Sequence, residues 1–153
     1  MILYGIAVKP VKKGPMHPTS NGLITSTGLD GNYYSKLRDF IKSKRQITVI
    51  SLRQWNEALD ELGVRDFTTY PWYLRRANLC VTSRYFMPSD VGKQLSIGPN
   101  VLLEITGETA PCSRMDEVLP GLKWALTPKW RGGVTCRVIR GGEIYVGNRI
   151  SIH

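Results

Sequence analysis

Glycine and proline break this chain so often that one stretch alone is long and regular enough for an uninterrupted helix. The sequence holds 15 glycines and 9 prolines in 153 residues. Short pieces bounded by such residues, several of them rich in β-branched side chains, read as strands joined by turns. Ile2 to Val8 is the first strand, followed by a loop from Lys9 to Gly22 and a short strand from Leu23 to Thr27. The segment Gly28 to Lys44 is rich in glycine and charge and has no clear period. Gln46 to Ile50 and Ala77 to Thr82 read as further strands. Gln94 to Ile97 and Val101 to Thr106 form a hairpin around Gly98-Pro99-Asn100. Val134 to Arg140 and Ile144 to Ile152 flank Gly141-Gly142 as a final hairpin.

The one clear helix follows Ile50. Leu52, Trp55, Leu59 and Leu62 recur at spacings of three and four, which gives one buried stripe. Ser51 and Gln54 have the spacing of a capping box, and Gly63 is a natural stop. Asp116 to Leu126 reads as partly helical, interrupted at Pro120-Gly121. The expected fold is therefore mainly β with one or two helices, as a small closed β-barrel. Closure would remove the exposed strand edges.

A chain of this length reads as a single domain over residues 1–153, large enough to bury a core without staples. No stretch approaches the roughly 18 apolar residues of a membrane span, so no membrane partner is expected. Met1 to Lys9 has no basic leader and reads as a strand rather than a signal peptide. Three cysteines, an odd number, read as reduced thiols in a cytoplasm. There is no CxxC pair, and the two histidines are His17 and His153, so a zinc site made of protein ligands alone is not expected.

Charge is the unusual property. Lys plus Arg is 21 and Asp plus Glu is 12, a net of +9. Such a balance favours an anionic partner, whether a nucleic acid or a compact phosphate-bearing cofactor. Arginine's planar fork suits phosphate, and glycines let backbone N–H groups approach an anion. Arg75-Arg76-Ala77-Asn78, Arg131-Gly132-Gly133 and Arg140-Gly141-Gly142 bring these residue types together. They read either as an anion site or as solvated turns. Tyr33 and Tyr34, among Lys36, Arg38, Lys42, Lys44 and Arg45, read as base-stacking rings or as a solvated loop.

The cysteines differ in context. Cys80 and Cys136 lie in strand segments, where a free thiol is usually a small buried hydrophobe. Cys112 lies in the polar segment Thr109-Ala110-Pro111-Cys112-Ser113-Arg114, where Arg114 would favour a thiolate. It reads as a reactive thiol or as an inert loop residue. A lone thiolate can carry a persulfide, or can bind a metal whose other ligands come from an organic cofactor.

In order along the chain, several motifs resemble those of the MOSC domain, the C-terminal domain of molybdenum cofactor sulfurases. Gly5 to Pro10 resembles the opening strand and loop, and Gly28-Leu29-Asp30-Gly31-Asn32 a glycine turn that usually ends in Gly-Asp. Arg45 to Ile50 resembles an R-Q-V-T-L-I strand, and Arg76-Ala77-Asn78-Leu79 an R-x-N-L segment. Leu95-Ser96-Ile97-Gly98, the pair Pro111-Cys112, Arg131-Gly132-Gly133 and Gly141 to Asn148 complete the set. Asn32 and Asn148 stand where the family usually has aspartate, and Tyr34 stands near a common histidine.

The resemblance implies a β-barrel like the small domain of pyruvate kinase and an anionic pterin, the molybdenum cofactor (molybdopterin). It makes Cys112 the catalytic residue and the molybdenum ligand or sulfur carrier. Arg76, Asn78, Arg114, Arg131, Gly132, Gly133 and Asn32 would bind the cofactor. It further implies reduction of N-hydroxylated bases, with a separate redox partner or sulfur donor protein. The sulfurase's aminotransferase-like domain has no counterpart here, so pyridoxal phosphate is not expected in this chain. Binding of RNA or another polyanion by a non-catalytic basic barrel is the alternative.

Overall fold

A computed structural model describes residues 1–153. Its strands are β1 (Leu3–Val8), β2 (His17–Thr19), β3 (Asn21–Thr25), β4 (Gly28–Leu29), β5 (Ile47–Ser51), β6 (Leu79–Val81), β7 (Gln94–Ile97), β8 (Val101–Glu108), β9 (Val134–Arg140), β10 (Gly142–Tyr145) and β11 (Ile150–Ile152). Three α-helices accompany them: α1 (Leu52–Glu61), α2 (Arg114–Val118) and α3 (Leu122–Leu126). None is long and apolar enough to cross a membrane. Eight strands form one sheet in the order β11-β7-β8-β9-β5-β6-β1-β2, and β10-β3-β4 form a second. Every pairing is antiparallel except β5 with β6, which α1 and the turns after it connect.

The large sheet curls until its sides meet. Ile2 bridges Arg149. Leu3 N–H donates to Asn148 O and Gly147 N–H to Leu3 O, each at 2.8 Å, and Ile150 N–H donates to Met1 O at 2.9 Å. This seam gives the mainly β, barrel-like architecture that the turn pattern implies.

Strand alternation sorts side chains between two cores. Leu3, Ile6, Val49, Leu79, Val81, Leu103 and Cys136 point inside the curled sheet. Ala7, Ile50 and Cys80 point outward, against Trp55, Ala58 and Leu59 of α1 and Leu122, Ala125 and Leu126 of α3. Cys80 and Cys136 are both buried, one on each face.

Three local expectations change. The final hairpin does not form, because Gly141-Gly142 carries the chain from one sheet to the other. β10 pairs with β3, and β11 with β7. The capping box is also absent. Gln54 is buried, and its Nε2 donates to Lys129 O at 2.8 Å while its Oε1 accepts from Phe86 N–H at 3.0 Å. Ser51 starts α1 without a side-chain cap, its hydroxyl buried and unpartnered. Finally, Tyr34–Lys36 and Arg38–Lys42 are ordered 3-10 turns, with Tyr34 stacked on Phe40 at 5.5 Å between centroids. The hairpin at Gly98-Pro99-Asn100 and the helix break at Pro120-Gly121 are as expected.

Candidate functional site

Two connected hollows lie beside the Arg75-Arg76 corner. The outer groove, about 680 Å³, has Met16, Leu74, Met115 and Val118 as its apolar floor and Lys13, Arg76 and Arg114 as its cations. The inner cavity, about 130 Å³, is lined by Lys9, Asn32, Tyr34, Arg45, Thr48 and Asn78, among others. Met16 and Arg76 belong to both walls.

Sequence and backbone explain why these groups converge. The turn Trp72–Arg75 ends with Arg76 in the left-handed region, φ +69°, which turns the chain sharply into β6. Consecutive arginines therefore part company. Arg75 enters the protein, where Nε donates to Gly132 O at 3.0 Å and Nη2 to Thr109 O at 2.8 Å. Arg76 stays half-buried in the groove, and its Nη2 donates to Gly14 O at 2.8 Å. Asn78, two residues on, ties three strands: its Oδ1 accepts from Thr48 N–H at 3.2 Å and its Nδ2 donates to Ala7 O at 3.3 Å. On the opposite wall, Asn32 Oδ1 accepts from Lys9 N–H at 2.8 Å.

The cations here form no ion pair, although Glu117 also stands in the wall of the outer groove. All five ion pairs of the protein involve Arg84, Lys93, Arg131 or Arg137. Burial, then Arg76 and Arg114, holds the Lys9 ammonium below its ordinary value. Burial, then Arg114, does the same to Arg76. Arg75 is pushed down to about 10, chiefly by burial, with Arg45 adding to the effect. Crowded, partly desolvated like charges raise the free energy of the site, and an entering anion relieves it.

Cys112 is exposed, two residues before α2. It does not line either hollow, but it belongs to the strap that Arg75 fixes. A methyl group on Gly132 would lie 2.4 Å from Thr109 O, 3.2 Å from Pro111 Cδ and 3.3 Å from Arg75 Nη2. That close packing sets the glycine at 132. Gly133 has φ +98°, and a methyl there would lie 2.4 Å from Val49 O. Both glycines thus have a packing reason that needs no ligand.

Arg76 lines both hollows, with Arg114 in the wall of the outer one and Asn32 and Asn78 in the wall of the inner one, whereas Cys112 lies outside both. Arg131 is set apart. It is buried, with its two terminal nitrogens bonded to Glu61 at 2.8 Å and one of them also to Ala125 O at 3.0 Å, while its Nε has no hydrogen-bond partner. Its charge serves the packing of α1 on α3, and it is not available to an anion in the hollows. Sequence reading passed over Lys9, Arg45 and Arg75 as site residues. Arg75 had a signal, since one of two adjacent arginines at a tight corner must turn inward.

Nowhere do three or more His, Cys, Asp or Glu side chains converge in a way that could hold a metal ion. A metal at Cys112 must therefore bring most of its ligands with it. A single exposed thiol, flanked by unpaired cations, fits a metal carried by an anionic organic cofactor with sulfur donors.

The family model for the MOSC domain matches residues 36–151. Among solved structures, the YuaD protein from Bacillus subtilis aligns with a TM-score of 0.76 at 21% identity, covering 99% of this chain and 94% of that one. YiiM from Escherichia coli aligns at 0.72 and 12% identity, over 100% of this chain and 70% of that one. YiiM from Geobacillus stearothermophilus aligns at 0.69 and 16% identity, over 99% and 74%. No curated protein matches the sequence. At these identities the structural likeness establishes the fold alone.

Proposed function

The chain belongs to the MOSC domain family, and on that premise we propose that it binds the molybdenum cofactor. Lys9, Arg76 and Arg114 hold the anionic pterin phosphate, and Cys112 offers its thiolate to the metal or carries sulfur as a persulfide. The carrying observation is the cluster of cations without carboxylate partners beside one exposed cysteine. A phosphate entering the hollows gains charge-assisted hydrogen bonds from forks that have spare donors. Asn32 and Asn78 are already committed to backbone groups, so they shape the cavity wall and leave the charge to its neighbours. Bound there, the cofactor supplies a redox-active metal with soft sulfur ligation.

The reaction class that goes with this reading is reduction of an N-hydroxylated base to the amine and water. That reaction takes up an electron pair and protons, which a separate donor protein provides. Non-catalytic binding of RNA is the second reading, supported by exposed Lys12, Lys13, Lys36, Lys42 and Lys44. Against it, Tyr34 is engaged with Phe40 and Lys9 rather than free to stack on bases.

The test is anaerobic purification from a cofactor-competent host, with molybdenum and pterin measured in each preparation. Wild type should hold both. Cys112→Ser should keep pterin and lose metal, and the double variant Arg76→Gln/Arg114→Gln should lose both. Equal traces of metal in all three, with no persulfide on Cys112, would end this reading. RNA binding that weakens steeply with salt in the same preparations would replace it.

A further inference from the structure

The site's cations account for only part of the chain's charge. Residues 9–45 contain Lys9, Lys12, Lys13, Lys36, Arg38, Lys42, Lys44 and Arg45 against Asp30 and Asp39. Eight cations against two anions is +6, two-thirds of the chain's net +9. None of these eight forms an ion pair. All but Lys9 are exposed.

Two of these cations, Lys9 and Arg45, meet in the wall of the inner cavity. Tyr33 N–H donates to Lys9 O at 2.8 Å and Lys9 N–H to Asn32 Oδ1 at 2.8 Å, which ties Lys9 to the start of the 3-10 turns. Gln46 Nε2 then fixes the 3-10 turn behind them, donating to Phe40 O at 3.0 Å. Lys9, Tyr34, Phe40 and Arg45 line the inner cavity, so both stretches of the segment reach its wall.

Between the cations stand aliphatic side chains with nothing over them. Val11 is 62% exposed, Leu37 44% and Ile41 55%. Each is next in sequence, or next but one, to a lysine or arginine. A nucleic-acid surface pairs its cations with free aromatic rings on which bases stack. Here Tyr34 is stacked on Phe40. Aliphatic side chains ringed by charge instead match the apolar centre and polar rim of a protein interface.

We propose that the face formed by residues 9–13 and 36–45 docks a protein partner through an acidic surface with an apolar centre, over the mouth of the cavity. Val11, Leu37 and Ile41 supply the buried contact. Lys12, Lys36, Arg38 and Lys42 steer the approach and exclude basic or neutral proteins. This inference is independent of the cofactor, since it concerns what covers the mouth and not what fills it.

A photo-crosslinking amino acid placed at Leu37 or Ile41 in cells, with Val91 as an exposed control, tests it. The captured partner is identified, purified and titrated against the full chain over a range of salt. The expected result is one acidic protein captured at Leu37 and Ile41 and not at Val91. Its affinity should fall on the order of tenfold or more in Lys36→Glu/Lys42→Glu, and a basic substitution in the partner's acidic surface should recover part of the loss. Capture of RNA, capture of no acidic protein, or an affinity that ignores the charge reversal would each overturn the proposal. Molybdenum content of Lys36→Glu/Lys42→Glu should match wild type, which separates this result from failure of the cofactor reading.

Discussion

The Arg75 guanidinium donates to the Gly132 carbonyl at 3.0 Å from inside the protein, and with its other arm holds Thr109 O at 2.8 Å. One buried cation thus joins the turn that opens β9 to the strap that carries Cys112. Removing it leaves both carbonyls without their donors. A hydrogen bond to a charged group contributes about 1.5–3 kcal/mol, and relief from burying the cation offsets part of that. Arg75→Met should therefore lower stability by about 2 kcal/mol, read from the urea midpoint. Arg75→Lys keeps the charge but not the fork and should fall between. An unchanged midpoint in Arg75→Met would show that the strap is held by other contacts.

Gly133 faces a harder limit. Its φ of +98° and the 2.4 Å from an added methyl to Val49 O combine strain with a backbone clash. Strain at such a position costs about 1–3 kcal/mol before the clash is counted. Gly133→Ala should lower the melting temperature by several degrees or prevent folding. Gly63→Ala, where φ is +80° but nothing lies within 4 Å, isolates the strain alone and should cost less.

Thiol chemistry should separate the three cysteines. Burial pushes the Cys80 and Cys136 thiols well above the ordinary range and hides them, while Cys112 is exposed. Thiolate and access together set reactivity. A chromogenic disulfide reagent at pH 8 should titrate one thiol in the native protein and three in guanidinium. Cys112→Ser should bring the native count to zero. Two or more fast native thiols would contradict the packing described here.

The Glu61–Arg131 pair should give a pH signature. Hydrogen bonds from Arg131 hold the Glu61 carboxyl below its ordinary value of 4.5. The unfolded chain takes up that proton first as pH falls, so the pair's contribution is complete above 4.5. It disappears as pH falls through the lower folded-state value. Glu61→Gln should melt earlier than wild type at pH 7, and the difference should shrink as pH falls below 4.5. A difference that stays constant while pH falls would place the effect elsewhere.

Gln46 predicts a local effect. Its side chain donates to Ser26 O at 2.7 Å and Phe40 O at 3.0 Å, and accepts from Val138 N–H at 2.7 Å. Gln46→Met should cost about 1–3 kcal/mol, because part-buried backbone groups lose their partners. Amide exchange should quicken at residues 40–43 ahead of the rest. Uniform protection along the chain would show that the turn stands without Gln46.

What the sequence disclosed follows the range of each interaction. The stripe Leu52, Trp55 and Leu59 and the hairpin at Gly98-Pro99-Asn100 depend on neighbours in the chain, and both are found where the pattern puts them. Ser51 and Gln54 fit a local rule equally well. Yet Phe86 and Lys129, 32 and 75 residues from Gln54, take its amide instead. Gly141-Gly142 looks like a hairpin turn, but β3 claims β10 from more than 100 residues away. Within the site, Cys112 and Arg76 stand out by composition. Arg131 looks the same on paper, and only the position of Glu61 on α1 shows that its charge is engaged.

The seam at Ile2 and Arg149 bears on how the protein is made. Leu3 of β1 leaves the ribosome about 145 residues ahead of its backbone partner Asn148. While translation proceeds, that strand edge has open donors and acceptors, and pairings this distant in sequence form slowly. Production in cells is therefore most exposed to aggregation before residues 147–150 emerge. Slower synthesis or a holdase chaperone should raise soluble yield more than any substitution at the site.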